Sequence, residues 1–230
     1  MSKLNKLNFK IEDLFRGCVL SGIAHAIMIA FYPNATNIAN DHRWNGEIYS
    51  IKNSSNIYCT IAFPYFDMFC VAIFRDKNSK RILSSEFEDP KEYFKGALNI
   101  IKGTAEGNLS NYWYSFIRKK NIPKVTTAFW GYKNVIFSVD TYEDIMQNGG
   151  EIIKNRILPY EETLEILKKE YDMEDKQINL LEEIYLRWMQ NPLSNVVLTE
   201  RERNMIESNS NIEGMVRSKY SFRKIGISWA

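Results

Sequence analysis

At 230 residues with a formal net charge of +2, the chain is long enough to bury a sizeable core. It lacks the basic excess that draws a whole protein to nucleic acid or to an anionic membrane. Hydrophobic residues at 45% and charged residues at 25% match an ordinary soluble globular protein and exclude a disordered chain. Cys18, Cys59 and Cys70 cannot all pair within one molecule and show no Cys-x-x-Cys spacing, which points to a reducing, cytosolic compartment.

The first residues are basic and then polar, without the apolar core of a signal peptide. Ile11, Leu14, Phe15, Cys18 and Val19 stand at helical spacing and predict a helix over 11–22. The apolar run 23–31 fits either a continuation of that helix or a strand. The apolar stretch 17–32 contains Ser21 and His25 and falls short of the ~20 residues that span a bilayer. Pro33 and the polar run to Asn40 predict a loop, and the sequons at Asn34, Asn53 and Asn108 have no consequence in a chain that is not secreted.

Residues 41–81 are the densest in recognition chemistry. Asp41, His42, Arg43, Trp44 and Glu47 surround Asn45-Gly46, a turn signal because both residues tolerate positive φ. Runs 57–63 and 68–74, rich in β-branched and aromatic side chains, predict two strands joined by Pro64-Tyr65-Phe66-Asp67. Lys77-Asn78-Ser79 predicts the next turn, with a short strand over 81–84.

Asp89-Pro90 reads as an N-cap and first helical position, for a helix over 91–102 ending at Gly103. Ser110 should cap a second helix through Tyr112, Trp113, Tyr114 and Phe116 to the basic Arg118-Lys119-Lys120. Runs 125–130 and 134–139 predict a hairpin turning at Gly131-Tyr132-Lys133. Thr141 should cap a short helix that stops at Gly149-Gly150. Helices follow over 160–171 and 174–190, the second carrying Ile178, Leu181, Tyr185 and Trp188 on one face. Thr199 and Glu202 form a capping-box pattern for a helix to about Ser208, and the tail 220–229 alternates like a final strand. The expected fold is a single α+β domain over 1–230, built of antiparallel hairpins packed with helices, with a helical C-terminal part and a possible helical sub-region over 151–210.

Catalytic patterns are sparse. Cys18 and His25 are seven residues apart, about 10.5 Å of helical rise, too far for a nucleophile–base pair. His25 therefore reads as a core histidine with its polar atoms satisfied, whereas His42 sits in a polar setting. Two histidines and scattered cysteines predict no zinc site of ordinary spacing; a carboxylate-held Mg²⁺ or Ca²⁺ stays open, although no Asp-x-Asp-x-Asp-Gly loop occurs. No Gly-rich nucleotide loop and no Gly-x-Ser-x-Gly elbow occurs, so no cofactor is expected. Glu174-Asp175-Lys176 has the Glu-x-Lys spacing of metal-dependent nucleases but lies on a charged helix. Two basic-aromatic clusters could contact nucleic acid by stacking and phosphate contacts. One is Tyr112, Trp113, Tyr114, Arg118, Lys119, Lys120 and Lys124; the other is Arg217, Lys219, Tyr220, Phe222, Arg223 and Lys224. With a near-neutral net charge, nucleic acid is not the expected partner.

Two resemblances carry little function. Leu198-Thr199-Glu200-Arg201-Glu202-Arg203 resembles the opening of the helix-turn-helix domain of LuxR-type regulators, yet the following residues leave no room for a recognition helix. Trp44-Asn45-Gly46-Glu47-Ile48-Tyr49, with Thr60-Ile61-Ala62-Phe63 and Phe74-Arg75-Asp76, resembles a block in uncharacterised bacterial proteins, a resemblance confined to 41–76 that implies no activity. The expected function is a cytosolic bacterial binding protein, of the immunity or defence-associated kind, with another protein as partner and no membrane role. His42, Trp44, Glu47, Tyr49, Arg75, Asp76 and Arg81 are the expected binding residues, since Trp, Tyr and Arg dominate interface energetics. The alternative is an enzyme acting on a small molecule or nucleotide, with Asp41, His42, Glu47 and Arg75 as its polar site; it requires those groups to converge in a pocket.

Overall fold

The computed structural model describes residues 4–32, 41–82, 89–109, 114–115, 122–190, 195–208 and 210–229. The elements in chain order are β1 (Asn5–Lys6), α1 (Ile11–Phe31), β2 (Asp41–Asn45), β3 (Ile48–Lys52), β4 (Ile57–Ala62), β5 (Phe69–Asp76) and α2 (Asn99–Leu109). They continue with β6 (Tyr114–Ser115), β7 (Ile122–Pro123), β8 (Thr127–Tyr132), β9 (Val135–Ser138), α3 (Tyr142–Gln147), α4 (Tyr160–Tyr171) and α5 (Asp175–Gln190). Last come β10 (Val196–Leu198), α6 (Glu200–Glu207), α7 (Ile212–Lys224) and β11 (Ile227–Trp229). The class is α+β, antiparallel strands with helices and a largely helical C-terminal part. Contacts group into two compact units, Met1–Phe15 with Glu47–Ile157, and Arg16–Gly46 with Leu158–Ala230.

In the first unit, antiparallel strands run in the order β1-β9-β8-β5-β4-β3. Side chains alternate across a strand, so Val71 and Ile73 of β5, with Ala128 and Trp130 of β8, form one face. That face packs with Tyr93, Phe94, Ile101, Ala105 and Leu109. On the other face Phe129 meets Phe9 and Phe74 with ring centroids 5.5 Å apart. Burial on both faces explains why 70–74 reads as unbroken apolar sequence rather than as alternation.

In the second unit, α1 and α7 pack through small residues. The Cα of Gly214 lies against the backbone carbonyl of Ala30, where a Cβ would collide. One turn on, Ser218 Oγ donates to the Ala26 carbonyl at 2.6 Å. Gly22, a further turn back along α1, accommodates Trp44 and Ile225. The indices rise along one helix as they fall along the other, so the two run antiparallel, brought close by small side chains at the contact. Trp188 of α5 donates its indole N–H to the Ile225 carbonyl at 2.8 Å, and β10 pairs with β11 in parallel.

Several elements depart from expectation for local reasons. Helix α1 is continuous over 21 residues, so the run 23–31 is helical; by length and composition it could cross a membrane, but 83% of its most apolar window is buried within the protein. The helix expected over 91–102 is interrupted. A 3₁₀ turn spans Pro90–Phe94 with Lys95 extended, and Gly96 at φ +83° redirects the chain before α2 begins. Gly103 does not end α2, whose buried Ile101, Ala105 and Leu109 recur at helical spacing past it. Lys80–Ile82 is a 3₁₀ turn rather than the start of a strand; residues 83–84 lie outside the described residues. Of the helix expected after Ser110, the described Tyr114–Ser115 is a strand paired with Ile122–Pro123. The β8–β9 turn falls at Lys133 and Asn134, both at positive φ, because Gly131 is needed inside β8: a Cβ there would come within 2.8 Å of Cys70 and Ile11. The tail is helical to Lys224, capped by the Asn211 side chain, and only Ile227–Trp229 forms a strand.

Candidate functional site

The residues singled out in 41–81 fall into both units. His42 and Trp44 belong to the second. Trp44 is buried on β2, its ring against Gly22. His42 is also buried, not looped out: its ring stands 5.3 Å from that of His25 and 6.3 Å from that of Tyr171. His25 is 6.4 Å from Tyr171. The two histidines of the chain and one tyrosine thus form a buried aromatic trio. The side chain of Asp41 lies outside the described ones.

Glu47, Tyr49, Arg75, Asp76 and Arg81 belong to the first unit. Tyr49 is buried opposite Ile61 of β4, and Glu47 is exposed. Arg75 is half-buried opposite Tyr58, and burial pushes its guanidinium pKa down from the ordinary value.

Asp76 and Arg81 join a polar network at the end of β5. Asp76 Oδ1 accepts from the Asn78 amide at 2.8 Å, closing the turn as an Asx motif. The Asp76 amide donates to Thr126 Oγ1 at 3.1 Å, and Thr126 Oγ1 donates to the Asn148 carbonyl at 2.5 Å. Arg81 Nη1 reaches Asp140 Oδ2 at 2.7 Å and the Thr126 carbonyl at 3.1 Å. The same carboxylate oxygen accepts from Thr127 Oγ1 at 2.6 Å, and Tyr93 donates its hydroxyl to the Thr126 carbonyl at 3.0 Å. Burial works against the Arg81 charge, but the bonds to Asp140 and Tyr93 outweigh it and raise its pKa. Each of these groups is tied to its own scaffold. The network closes turns at the end of β5.

The surface chemistry of this unit lies elsewhere, at the tip of the β4–β5 hairpin. Tyr65 adopts the left-handed conformation at φ 62° and ψ 41°, a strained one for a non-glycine residue, and is 59% exposed. Met68 beside it is 52% exposed. The Tyr65 ring leads to Phe69 at 6.0 Å, Phe69 stacks on Tyr132 at 5.1 Å, and Lys133 Nζ lies 5.2 Å from the Tyr132 centroid. The result is a run of aromatic faces opening on solvent.

The described residues of the basic-aromatic clusters divide between core and surface. Phe222 is buried and Tyr220 exposed, Arg217 pairs with Glu213 at 3.0 Å, and Lys124 donates to the Ile82 carbonyl at 2.7 Å. Tyr112, Trp113, Arg118, Lys119 and Lys120 lie outside the described residues. Glu174 pairs with Lys176 at 2.7 Å on an exposed surface. An open depression of about 530 Å³ is lined, among the described residues, by Glu200, Arg201, Asn204, Met205 and Ser208 of α6 and its end. Among the described residues, no three His, Cys, Asp or Glu side chains gather closely enough to hold a metal ion.

Comparison with protein-family models, with curated proteins and with solved structures finds no match. The candidate site therefore rests on geometry. From sequence, Tyr65 is a turn residue of the Pro64–Asp67 connection. The signal available was an aromatic at a hairpin tip, a position that favours Gly, Asn or Asp.

Proposed function

We propose that the protein is a cytosolic binding protein for another protein, with recognition centred on the tip of the β4–β5 hairpin. The carrying observation is Tyr65: a large aromatic held in the left-handed region and turned to solvent. Strain of that kind persists where the surroundings over-determine it and clusters at binding sites. Met68, Phe69 and Tyr132 add the aromatic and thioether surface that interface centres favour. Arg75 and Arg81 lie at the far end of β5 from this tip, and Trp44 and Tyr49 contribute as core residues of their units. Three buried free cysteines suit a reducing compartment.

The test is Tyr65→Asn. Asparagine tolerates the left-handed region, so the hairpin keeps its turn and loses only the aromatic. A stoichiometric protein partner recovered with the wild-type chain from its source cells should bind the variant at least about tenfold more weakly, the scale of an interface hot spot. Unchanged affinity at an unchanged unfolding midpoint would refute the assignment of the tip.

A further inference from the structure

Helix α7 has two opposed faces. Gly214, Ser218 and Phe222 are buried, and the first two seat the helix on α1. At 100° per residue, Ile212, Val216 and Tyr220 stand on the far side, and they are 86%, 64% and 61% exposed. They succeed one another by four residues, making a row of about 12 Å along the helix axis. Contiguous exposed apolar side chains on this scale mark interaction sites more often than chance.

The charges beside the row are one-sided. Arg217, Lys219, Arg223 and Lys224 face a single carboxylate, Glu213, within α7, which places more positive charge on one helix than the whole chain nets. Lys219 Nζ lies 4.9 Å from the Trp229 ring centroid, and Lys224 Nζ lies 5.3 Å from that of Tyr220. Only Arg217 is offset by an acid of the same helix.

We infer that this face docks an acidic amphipathic helix of a partner protein, its apolar anchors spaced by three and four residues along the row and its Asp and Glu flanks against Lys219, Arg223 and Lys224. Helix-against-helix seams are narrow, as this row is. A lipid surface calls for a broad face of Leu, Phe or Trp, which α7 does not present. A second copy of the chain would set eight cations against two carboxylates. The surface belongs to the second unit and does not depend on the hairpin-tip reading.

The experiment places a photo-crosslinking p-benzoylphenylalanine at Val216 of the full chain in its source cells and sequences the linked segment by mass spectrometry. A protein segment of net negative charge with apolar residues at helical spacing is expected. Arg223→Glu, alone and with Lys219→Glu, should cut the yield about tenfold at an unchanged unfolding midpoint. Reversing the segment's acids to Lys should restore it in the charge-reversed chain. A neutral or basic segment, a copy of this chain, a lipid adduct, no adduct, or a yield blind to charge reversal would each overturn the inference. The same crosslinker at Met68 reports on the hairpin tip independently, so either surface can fail without the other.

Discussion

Gly214→Ala sets two physical effects of opposite sign against each other. In a helix, replacing Gly by Ala stabilises by up to about 1 kcal/mol through backbone entropy. A Cβ at 214, however, would run into the carbonyl of Ala30 and within 3.0 Å of the Ile29 carbonyl oxygen. Both are backbone atoms of α1, which no rotamer change can move. The helices must separate, and the Ser218 bond to Ala26 at 2.6 Å stretches with them. Overpacking costs about 1–3 kcal/mol or more, and a buried bond that is lost adds about 1 kcal/mol. We expect net destabilisation of about 2–3 kcal/mol, read as a fall in the urea midpoint followed by tryptophan fluorescence and circular dichroism. Gly103→Ala and Gly107→Ala in α2, where nothing lies within 4 Å, are the controls and should each stabilise by up to about 1 kcal/mol. A Gly214→Ala chain as stable as those controls would refute the close packing of α7 on α1.

Glu202 is buried, takes two bonds from Arg187 Nη2 at 2.8 and 2.6 Å, and accepts from the Thr199 amide at 2.7 Å. Arg187→Met should therefore cost about 3–5 kcal/mol by stranding a buried carboxylate, and adding Glu202→Leu should recover much of it; a thermal-melt double-mutant cycle checks both. Cys18, Cys59 and Cys70 are buried, and burial pushes the Cys70 thiol pKa far up. The native protein should show no thiol reactive to Ellman's reagent, and all three should react in denaturant. The Thr141 hydroxyl at 2.8 Å and amide at 3.3 Å hold the Asp144 carboxylate below its ordinary pKa. A lowered folded-state pKa contributes stability above the unfolded value of about 3.9, lost as pH falls through the folded value. Thr141→Val should raise the Asp144 midpoint in an NMR titration; an unmoved midpoint would remove the hydroxyl as the cause.

Where local chemistry and tertiary context agree, elements were legible. The capping boxes Thr141–Asp144 and Thr199–Glu202 start helices as their residue types predict. The hairpin strands β4, β5, β8 and β9 sit close to their expected places because β-branched and aromatic runs were bounded by turn residues. The tail from Tyr220 reads as a strand in sequence although α7 runs to Lys224, because the helix's buried stripe is Gly214, Ser218 and Phe222. Two of these three are small and leave no apolar period to detect. His42 looked solvent-facing because its sequence neighbours are charged, but on β2 alternate residues turn inward, and it faces His25 and Tyr171.

The residues alone determined the α+β class and most helix starts, since each depends on neighbours within a few positions. The tertiary structure decided which polar groups are consumed in closing turns, as Asp76 and Arg81 are, and which apolar groups stay outside, as Tyr65 and the α7 row do. That division depends on which side of a strand or helix finds a packing partner. The partners here, such as Ala26 and Ala30 for Ser218 and Gly214, lie nearly two hundred residues away in the chain.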